Sequence, residues 1–296
     1  HSGVRKVMRL MIPTLIGSSV AQVNLLFDVV IATFLVSGSV SWLYYSDRLM
    51  EFPLGVFGVA LSTVILPNLS QKFARNNPEA FSHTLDWALR LAMLVTIPAA
   101  LGLAVLGKPI LITLFQYGAF ELADVEMAAL SLAAYAAGLP GFIGVKVLAP
   151  GFYARQDTKT PVKIAIIAMV SNMVLNLAFV GSLLGIGFTG PHMGLALASS
   201  VAAYINAGLL YRRLRRQGAY RPEPGWGRVL FAVGLACAAM TAILLWQQGP
   251  VSGWAQAAAA SRAMNMVIVI ATGVAVYALA LFAAGLRPRH FAKGSA

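Results

Sequence analysis

The sequence predicts an all-α polytopic membrane protein with eight transmembrane helices. Hydrophobic residues make up 59% of the 296-residue chain and charged residues only 11%, whereas soluble domains contain about 25% charged residues. The mean hydropathy of +0.77 shows the same bias. A soluble fold of this length would need far more surface charge, so the bilayer must cover most of the chain.

Eight apolar runs, each closed by polar residues, Pro or Gly, are long enough to cross a bilayer as a helix, which takes about 20 residues. They cover residues 9–36, 41–70, 82–106, 124–149, 160–184, 191–212, 227–247 and 263–286. Long continuous runs favour helices, because membrane-spanning strands show short, weakly alternating segments instead. The last two runs contain almost no polar side chains, so that pair can face lipid on most sides.

Lysine and arginine residues are concentrated in alternate connections between these runs. Eighteen lie in one set of connections, whereas the other set holds only Lys108 and Arg262. Positive connections stay on the cytoplasmic side, so both ends of the chain are predicted to be cytoplasmic. Eight spans satisfy the even number of crossings that this orientation requires. The eighteen residues are Arg5, Lys6, Arg9, Lys72, Arg75, Arg90, Arg155, Lys159, Lys163, Arg212, Arg213, Arg215, Arg216, Arg221, Arg228, Arg287, Arg289 and Lys293.

The composition argues against several other classes of protein. The net charge of +12 does not indicate a nucleic-acid partner, because the basic residues lie between apolar segments and not on one water-facing patch. The single cysteine, Cys237, lies within an apolar run, so no disulfide within the chain is expected. The four histidines lack the spacing of metal ligands. They are His1, His83, His192 and His290.

Ionisable residues inside the predicted spans mark the candidate site, because each costs about 3 kcal/mol to insert near the bilayer centre. Asp47, Arg48 and Glu51 lie at i, i+3 and i, i+4 spacing on neighbouring faces of one helix. Pro53 is expected to bend that helix just beyond the charges. Two interpretations stay open. Either Arg48 forms an internal ion pair that makes insertion tolerable, or its guanidinium faces a cavity and binds an anion such as phosphate.

Asp28 is an acidic residue within the first span, and Asn172 and Asn176 share a face of the fifth span at i, i+4 spacing. One carboxylate and two amide oxygens suit a hard cation such as sodium. The alternative is hydrogen bonding between helices. Lys146 lies near the cytoplasmic end of the fourth span, where it is expected to extend its ammonium group to the membrane surface. Gly138, Gly141 and Gly144 in the same span allow close helix packing.

Several motifs in the sequence closely resemble those of the MurJ (MviN) family, and together they extend over nearly the whole chain. The motifs are Trp42 to Pro53, Gly55 to Ala60, Leu114 to Gly118, Lys146 to Asp157, Lys159 to Lys163 and Pro224 to Trp226. The resemblance implies a fourteen-helix exporter-type fold of the MOP superfamily, with two lobes around a cationic cavity. This chain would supply the second lobe as a six-helix bundle, residues 1–214, and two C-terminal helices, residues 215–296. The N-terminal lobe would be the missing partner.

By the same resemblance, Arg48 and Glu51 match cavity residues that are important for flipping, and Asp47 completes the predicted substrate-binding set. Asp28, Asn172 and Asn176 resemble a sodium site described in some members. No other cofactor is expected. The last two spans match a groove for a polyprenyl tail.

The implied function is translocation of lipid II, an undecaprenyl-pyrophosphate-linked peptidoglycan precursor, from the cytoplasmic to the periplasmic leaflet of the bacterial inner membrane by alternating access. No enzymatic activity is expected, and the partners would be lipid II and membrane lipids. The alternatives are an exporter of another polyprenyl-linked glycan, of the O-antigen type, and a non-transporting scaffold for cell-wall synthesis.

Overall fold

The computed structural model describes Ser19 and residues 22–286, and within these residues the regular elements are all helices. The helices are α1 (Gln22–Thr33), α2 (Ser39–Pro53), a π-helical turn (Leu54–Val59), α3 (Ala60–Ala74), α4 (Pro78–Val105), α5 (Gly107–Phe115), α6 (Leu122–Leu148), α7 (Pro150–Tyr153), α8 (Lys159–Gly185), α9 (Met193–Arg216), α10 (Trp226–Gln248), α11 (Val251–Gln256) and α12 (Ala259–Ala283). The all-α prediction is therefore confirmed for the described part of the chain.

Seven helical stretches of the described chain are long and apolar enough to cross a membrane, and they correspond to the second through eighth predicted spans. The first predicted span, 9–36, lies largely outside the described residues, where α1 gives only its final part, so the count of eight stays a prediction. The connections 107–123 and 248–262 each contain a short helix, α5 and α11, that the sequence analysis did not predict. Leu111 and Ile112 of α5 are fully buried, because α5 packs against α6 and α12.

α6 is the central helix, with α2, α4 and α9 packed around it. Small residues bring its backbone against α9: a Cβ at Gly138 would lie 2.3 Å from Ser200 Oγ, and one at Gly141 would lie 3.0 Å from the Tyr204 nitrogen. The Ser200 hydroxyl donates to the Ala134 carbonyl at 2.6 Å. The expected role of these glycines in close packing is therefore confirmed, since any larger side chain would force the two helices apart.

The helix that carries the α2 charges continues without interruption from Ser39 to Ala74 and is 36 residues long. Pro53 lacks the N–H that would bond to the Leu49 carbonyl, and the π-helical turn Leu54–Val59 begins immediately after it. The structure thus shows a π-helical turn just beyond the charges, and the expected bend of the helix stays a prediction.

The segment between α9 and α10 is fastened to α4 by Asp86, whose side chain is only 1% exposed. Its carboxylate accepts hydrogen bonds from the Tyr220 hydroxyl at 2.7 Å, the Trp226 indole at 2.8 Å and the Glu223 N–H at 3.2 Å. Arg90 Nε donates to the same carboxylate at 2.7 Å. Burial and the bond to Asp86 raise the pKa of the Tyr220 hydroxyl well above its usual range, so this hydroxyl stays a donor.

The basic connections meet at one end of the helical bundle. The Arg221 N–H donates to Ser82 Oγ at 2.8 Å, and Arg155 donates to Gln217 Oε1 at 2.8 Å. At the other end Arg262 is buried and donates to the Ala257 carbonyl at 2.9 Å. This separation agrees with the charge pattern that predicts a cytoplasmic location for the basic end.

We expect Asp86→Ala to destabilise the protein by about 3 kcal/mol, because the change leaves a largely buried Arg90 without its carboxylate and removes the acceptor for three further donors. The melting temperature of the purified protein and protease cleavage between residues 217 and 225 measure the effect. Glu79→Gln, at an exposed position on the same helix, is the control and should cost less than about 1 kcal/mol. Equal melting temperatures for the two variants would show that Asp86 does not fasten this segment.

Candidate functional site

A cavity of about 440 Å³ lies between α1, α2, α6, α8 and α9. Four charged side chains line it, and neutral polar side chains line the region around them. The charged residues are Asp28, Asp47, Glu51 and Lys146, and the neutral ones include Asn24, Asn172, Ser199 and Asn206. This concentration of polar groups inside an apolar bundle identifies the cavity as the candidate site, because such groups are costly in contact with lipid.

The α2 charges divide between the cavity and an exposed face of the helix. Asp47 and Glu51 line the cavity, as their i, i+4 spacing allows. Arg48 lies beside it, with Nη1 2.6 Å from Glu51 Oε2 and its guanidinium 5.1 Å from the centre of the Tyr44 ring. The Arg48 and Glu51 side chains are 55% and 48% exposed. The predicted ion pair therefore forms, yet Arg48 is open to solvent or to a ligand and is not sealed inside the bundle.

The face of α2 that carries Arg48 also carries the exposed aromatic residues Tyr44 and Phe52, four positions before and after it. A guanidinium in direct contact with acyl chains would be strongly disfavoured at this depth. The face is therefore better suited to a protein-walled, water-containing space than to bulk lipid.

Lys146 of α6 lies at the wall of the same cavity. Its side chain lines the cavity together with Asp47 and Glu51 and is exposed, so the expectation that its ammonium group extends to the membrane surface stays a prediction. Gly58 of the π-helical turn lies close to it: a Cβ at position 58 would be in ordinary van der Waals contact with Lys146 Cγ, at 3.5 Å. Sequence spacing along α6 could not reveal this, because the contact depends on how α2 and α6 pack.

Asp28, Asn172 and Asn176 are brought together as predicted, and all three are buried. Asn176 Nδ2 donates to Asp28 Oδ1 at 2.5 Å and to Asn172 Oδ1 at 2.9 Å. Ser199 Oγ, from α9, donates to Asp28 Oδ2 at 3.3 Å. In the opposite orientation of the Asn172 amide, which replaces the bond from Asn176 to Asn172, the Asn172 nitrogen donates to Asn24 Oδ1 at 2.9 Å and its oxygen accepts from the Ser199 N–H at 3.1 Å. Hydrogen bonding between α1, α8 and α9, one of the two interpretations, therefore does occur.

The same cluster also has the chemistry of a cation site. Asn176 Oδ1 is buried and has no hydrogen-bond partner among the described residues. A buried, unpaired oxygen beside a carboxylate and a hydroxyl is an arrangement that a hard cation would satisfy. Sequence reasoning missed Asn24 and Ser199. Asn24 is four residues before Asp28, so its helical spacing could have indicated it.

Comparison with known proteins gives consistent matches over the chain. A family model described as "Lipid II flippase MurJ" matches residues 1–265. The chain is 50% identical over 285 residues to a probable lipid II flippase MurJ of Vibrio cholerae, covering 96% of this chain and 53% of that protein. It is 47% identical over 294 residues to a probable lipid II flippase MurJ of Haemophilus influenzae, covering 97% of this chain and 56% of that protein. The chain thus spans about half the length of the curated relatives it matches.

Solved structures show the same similarity at the level of the fold. A structure described as lipid II flippase MurJ in an inward closed conformation superposes with a TM-score of 0.72 at 27% identity, covering 92% of this chain and 53% of that one. An outward-facing MATE-family transporter of the MOP superfamily superposes with a TM-score of 0.62 at 17% identity, covering 94% of this chain and 64% of that one, which supports the fold alone.

We expect the cavity to be accessible to water. Cysteines introduced as Glu51→Cys and Lys146→Cys should react readily with a membrane-impermeant thiosulfonate reagent. Ile143→Cys, one turn from Lys146 on α6 and fully buried, should not react and is the matched control. The native Cys237 is buried and should contribute little background. Labelling at positions 51 and 146 as slow as at position 143 would mean that the cavity is dry.

Proposed function

Because the chain belongs to the MurJ family, we propose that it forms the second lobe and the two C-terminal helices of a lipid II flippase. The complete protein, with an N-terminal lobe as the partner of this chain, would carry the lipid-linked precursor from the cytoplasmic to the periplasmic leaflet of the bacterial inner membrane. The observation that carries this proposal is the cavity, where four ionisable side chains face one space within an apolar helical bundle. Carrying a charged headgroup through a bilayer requires such a space.

Arg48 is the residue that we assign to the pyrophosphate. Its planar guanidinium can bind two phosphate oxygens at once and stays charged at all relevant pH values. In this structure its partner is Glu51, and the exposure of both side chains makes the pair easy to exchange for another anion. Lys146 provides a second cation at the cavity wall. Asp47 and Glu51 would orient these cations and repel the phosphates when they are to be released.

Alternating access needs an element that can bend near the site. The π-helical turn after Pro53 is such an element, because its hydrogen bonds are already displaced from the α-helical pattern. It directly follows the part of α2 that carries Arg48 and Glu51. We propose that bending at this turn changes the side from which the charged residues can be reached.

The lipid tail would remain outside the charged cavity. We propose that residues 215–296 form its groove together with the bundle of residues 1–214. Support comes from an apolar groove of about 760 Å³ that runs between α4, α6, α9 and the start of α10. Aromatic, aliphatic and small residues line it, including Tyr204, Gly208, Tyr211, Trp226 and Leu230. Such a surface suits an isoprenoid chain, and no Lys or Arg among the described residues lines it to bind a phosphate.

A sodium ion is proposed for the cluster on α1, α8 and α9. Asp28, Asn172, Asn176 and Ser199 would hold it through carboxylate, amide and hydroxyl oxygens. The ion would neutralise the buried Asp28 carboxylate and satisfy Asn176 Oδ1. Because these groups belong to three helices, the bound ion would hold α1 against α8 and α9.

We expect Arg48→Ala in the full-length protein to reduce lipid II translocation by roughly tenfold or more, because a bidentate, charge-assisted contact is lost. Arg48→Lys should retain part of the activity, because the positive charge stays but the planar guanidinium that binds two phosphate oxygens is lost. The control is Arg75→Ala, at an exposed position in the connection between α3 and α4, and it should leave translocation unchanged.

Translocation in reconstituted vesicles and growth of cells depleted of their own flippase measure these outcomes. Normal translocation by Arg48→Ala would contradict the assigned role. Normal growth without translocation would favour the scaffold alternative. Complementation of a strain that lacks its O-antigen exporter, but not of a flippase-depleted strain, would favour the exporter alternative.

Sodium should raise the melting temperature of the full-length protein by a few degrees relative to potassium at equal ionic strength. Asp28→Asn and Asn176→Ala should abolish this difference, because each removes an oxygen from the cluster. Asn206→Ala, which changes a cavity residue outside the cluster, is the control and should preserve it. Equal effects of sodium and potassium on the unmodified protein would refute the site.

A further inference from the structure

A second polar pocket, of about 310 Å³, lies between α8 and α9 at the basic end of the bundle. Its polar lining residues are Thr160, Lys163, Arg212, Arg213 and Arg216. It is separate from the charged cavity. Residues of an α-helix follow one another at about 100° around the axis, so Lys163 and Ile167 lie on the face of α8 opposite Ala165 and Asn172, which line the cavity.

The pocket brings four cationic side chains together without an acidic one. Among the described residues none of the four takes part in an ion pair, and no carboxylate lines the pocket. Asp157 is close along the chain, but its Oδ1 accepts from the Thr160 N–H at 3.0 Å and caps the start of α8. The positive end of the α8 dipole adds to the field of the side chains. An anion between α8 and α9 would relieve the repulsion among these groups.

Apolar residues continue the pocket in the direction of the membrane. Ile164 and Ile167 of α8 and Leu209 of α9 line it beside the cations. Ile167 is four residues further into α8 than Lys163, a distance of about 6 Å along the helix axis. Leu209 precedes the arginines of α9 by one turn. A ligand that fits the whole pocket therefore has an anionic head at the membrane surface and an apolar part below it.

We propose that this pocket is a binding site for the phosphate-bearing headgroup of an anionic membrane phospholipid. The arginines and Lys163 contact the phosphate, the Thr160 hydroxyl donates to it, and the first part of an acyl chain lies against Ile164, Ile167 and Leu209. Free phosphate would use only the head of the pocket, because it has nothing to place against the apolar part. The site does not depend on the proposed transport function, since it lies on the other face of α8.

The test compares two triple variants of the full-length protein that remove equal charge from the same end. The pocket variant is Lys163→Gln, Arg212→Gln and Arg216→Gln. The matched control is Lys159→Gln, Arg215→Gln and Arg221→Gln, three basic positions that do not line the pocket. Native mass spectrometry measures how much phosphatidylglycerol each protein retains, with phosphatidylcholine as the neutral lipid and sodium phosphate as the source of free anion.

The pocket variant should retain about tenfold less phosphatidylglycerol than the unmodified protein. The control variant should retain most of the phosphatidylglycerol, because its altered side chains lie outside the pocket and solvent screens their charges from a ligand bound there. Melting temperatures in phosphatidylcholine alone verify that both variants are folded. If the pocket variant is not folded, the single exposed change Lys163→Gln replaces it, with an expected loss of roughly threefold.

Three results would overturn the proposal. Equal losses of phosphatidylglycerol in both triple variants would mean that the lipid is attracted by the positive charge of this end as a whole and does not bind in the pocket. Unchanged retention in the pocket variant would mean that lipid binds elsewhere. Displacement of phosphatidylglycerol by an equal concentration of sodium phosphate would mean that the pocket recognises the anion alone and takes no part of the lipid chain.

Discussion

The low dielectric of the bilayer is the constraint on which this structure depends, because ionisable side chains within it need water, a partner or a ligand. The described helices satisfy this constraint by gathering their charges. Asp28, Asp47, Glu51 and Lys146 all face one cavity, although they come from three different helices. Arg48 lies next to them and is paired with Glu51. The same constraint explains why the backbone is helical throughout the described spans, since a helix satisfies its own polar groups.

The sequence predicts the helical class, the positions of the spans and most of the candidate site, because these depend on local patterns. Hydropathy locates seven apolar helices, and spacing alone places Arg48 beside Glu51 and Asn172 beside Asn176. That Lys146 shares a cavity with Asp47 and Glu51 could not be predicted from spacing. It depends on the packing of α2 on α6 and on contacts with residues far away in sequence, Gly58 among them.

The structural role of Asp86 was not predicted from the sequence, for a similar reason. It lies near the end of a span among ordinary polar residues, and two of its partners, Tyr220 and Trp226, are 134 and 140 positions away in the chain. Pairings at such separations leave no periodic signal that a single sequence can reveal. The pocket between α8 and α9 is an intermediate case. Its arginines on α9 were visible as a charged stretch, but the sequence does not show that Lys163 of α8 lies beside them.

The fastening at Asp86 determines how the C-terminal helices can move. A single carboxylate ties α4 to both sides of the connection that leads into α10, and Arg90 adds bonds to the carbonyls of Glu223 and Pro224. α10 and α12 also pack closely on each other. The start of α10 is therefore held directly against α4, and α12 is held through α10. If the bundle tilts in the proposed transport cycle, the apolar groove beside α10 would tilt with it, and a lipid chain lying there would move together with its headgroup.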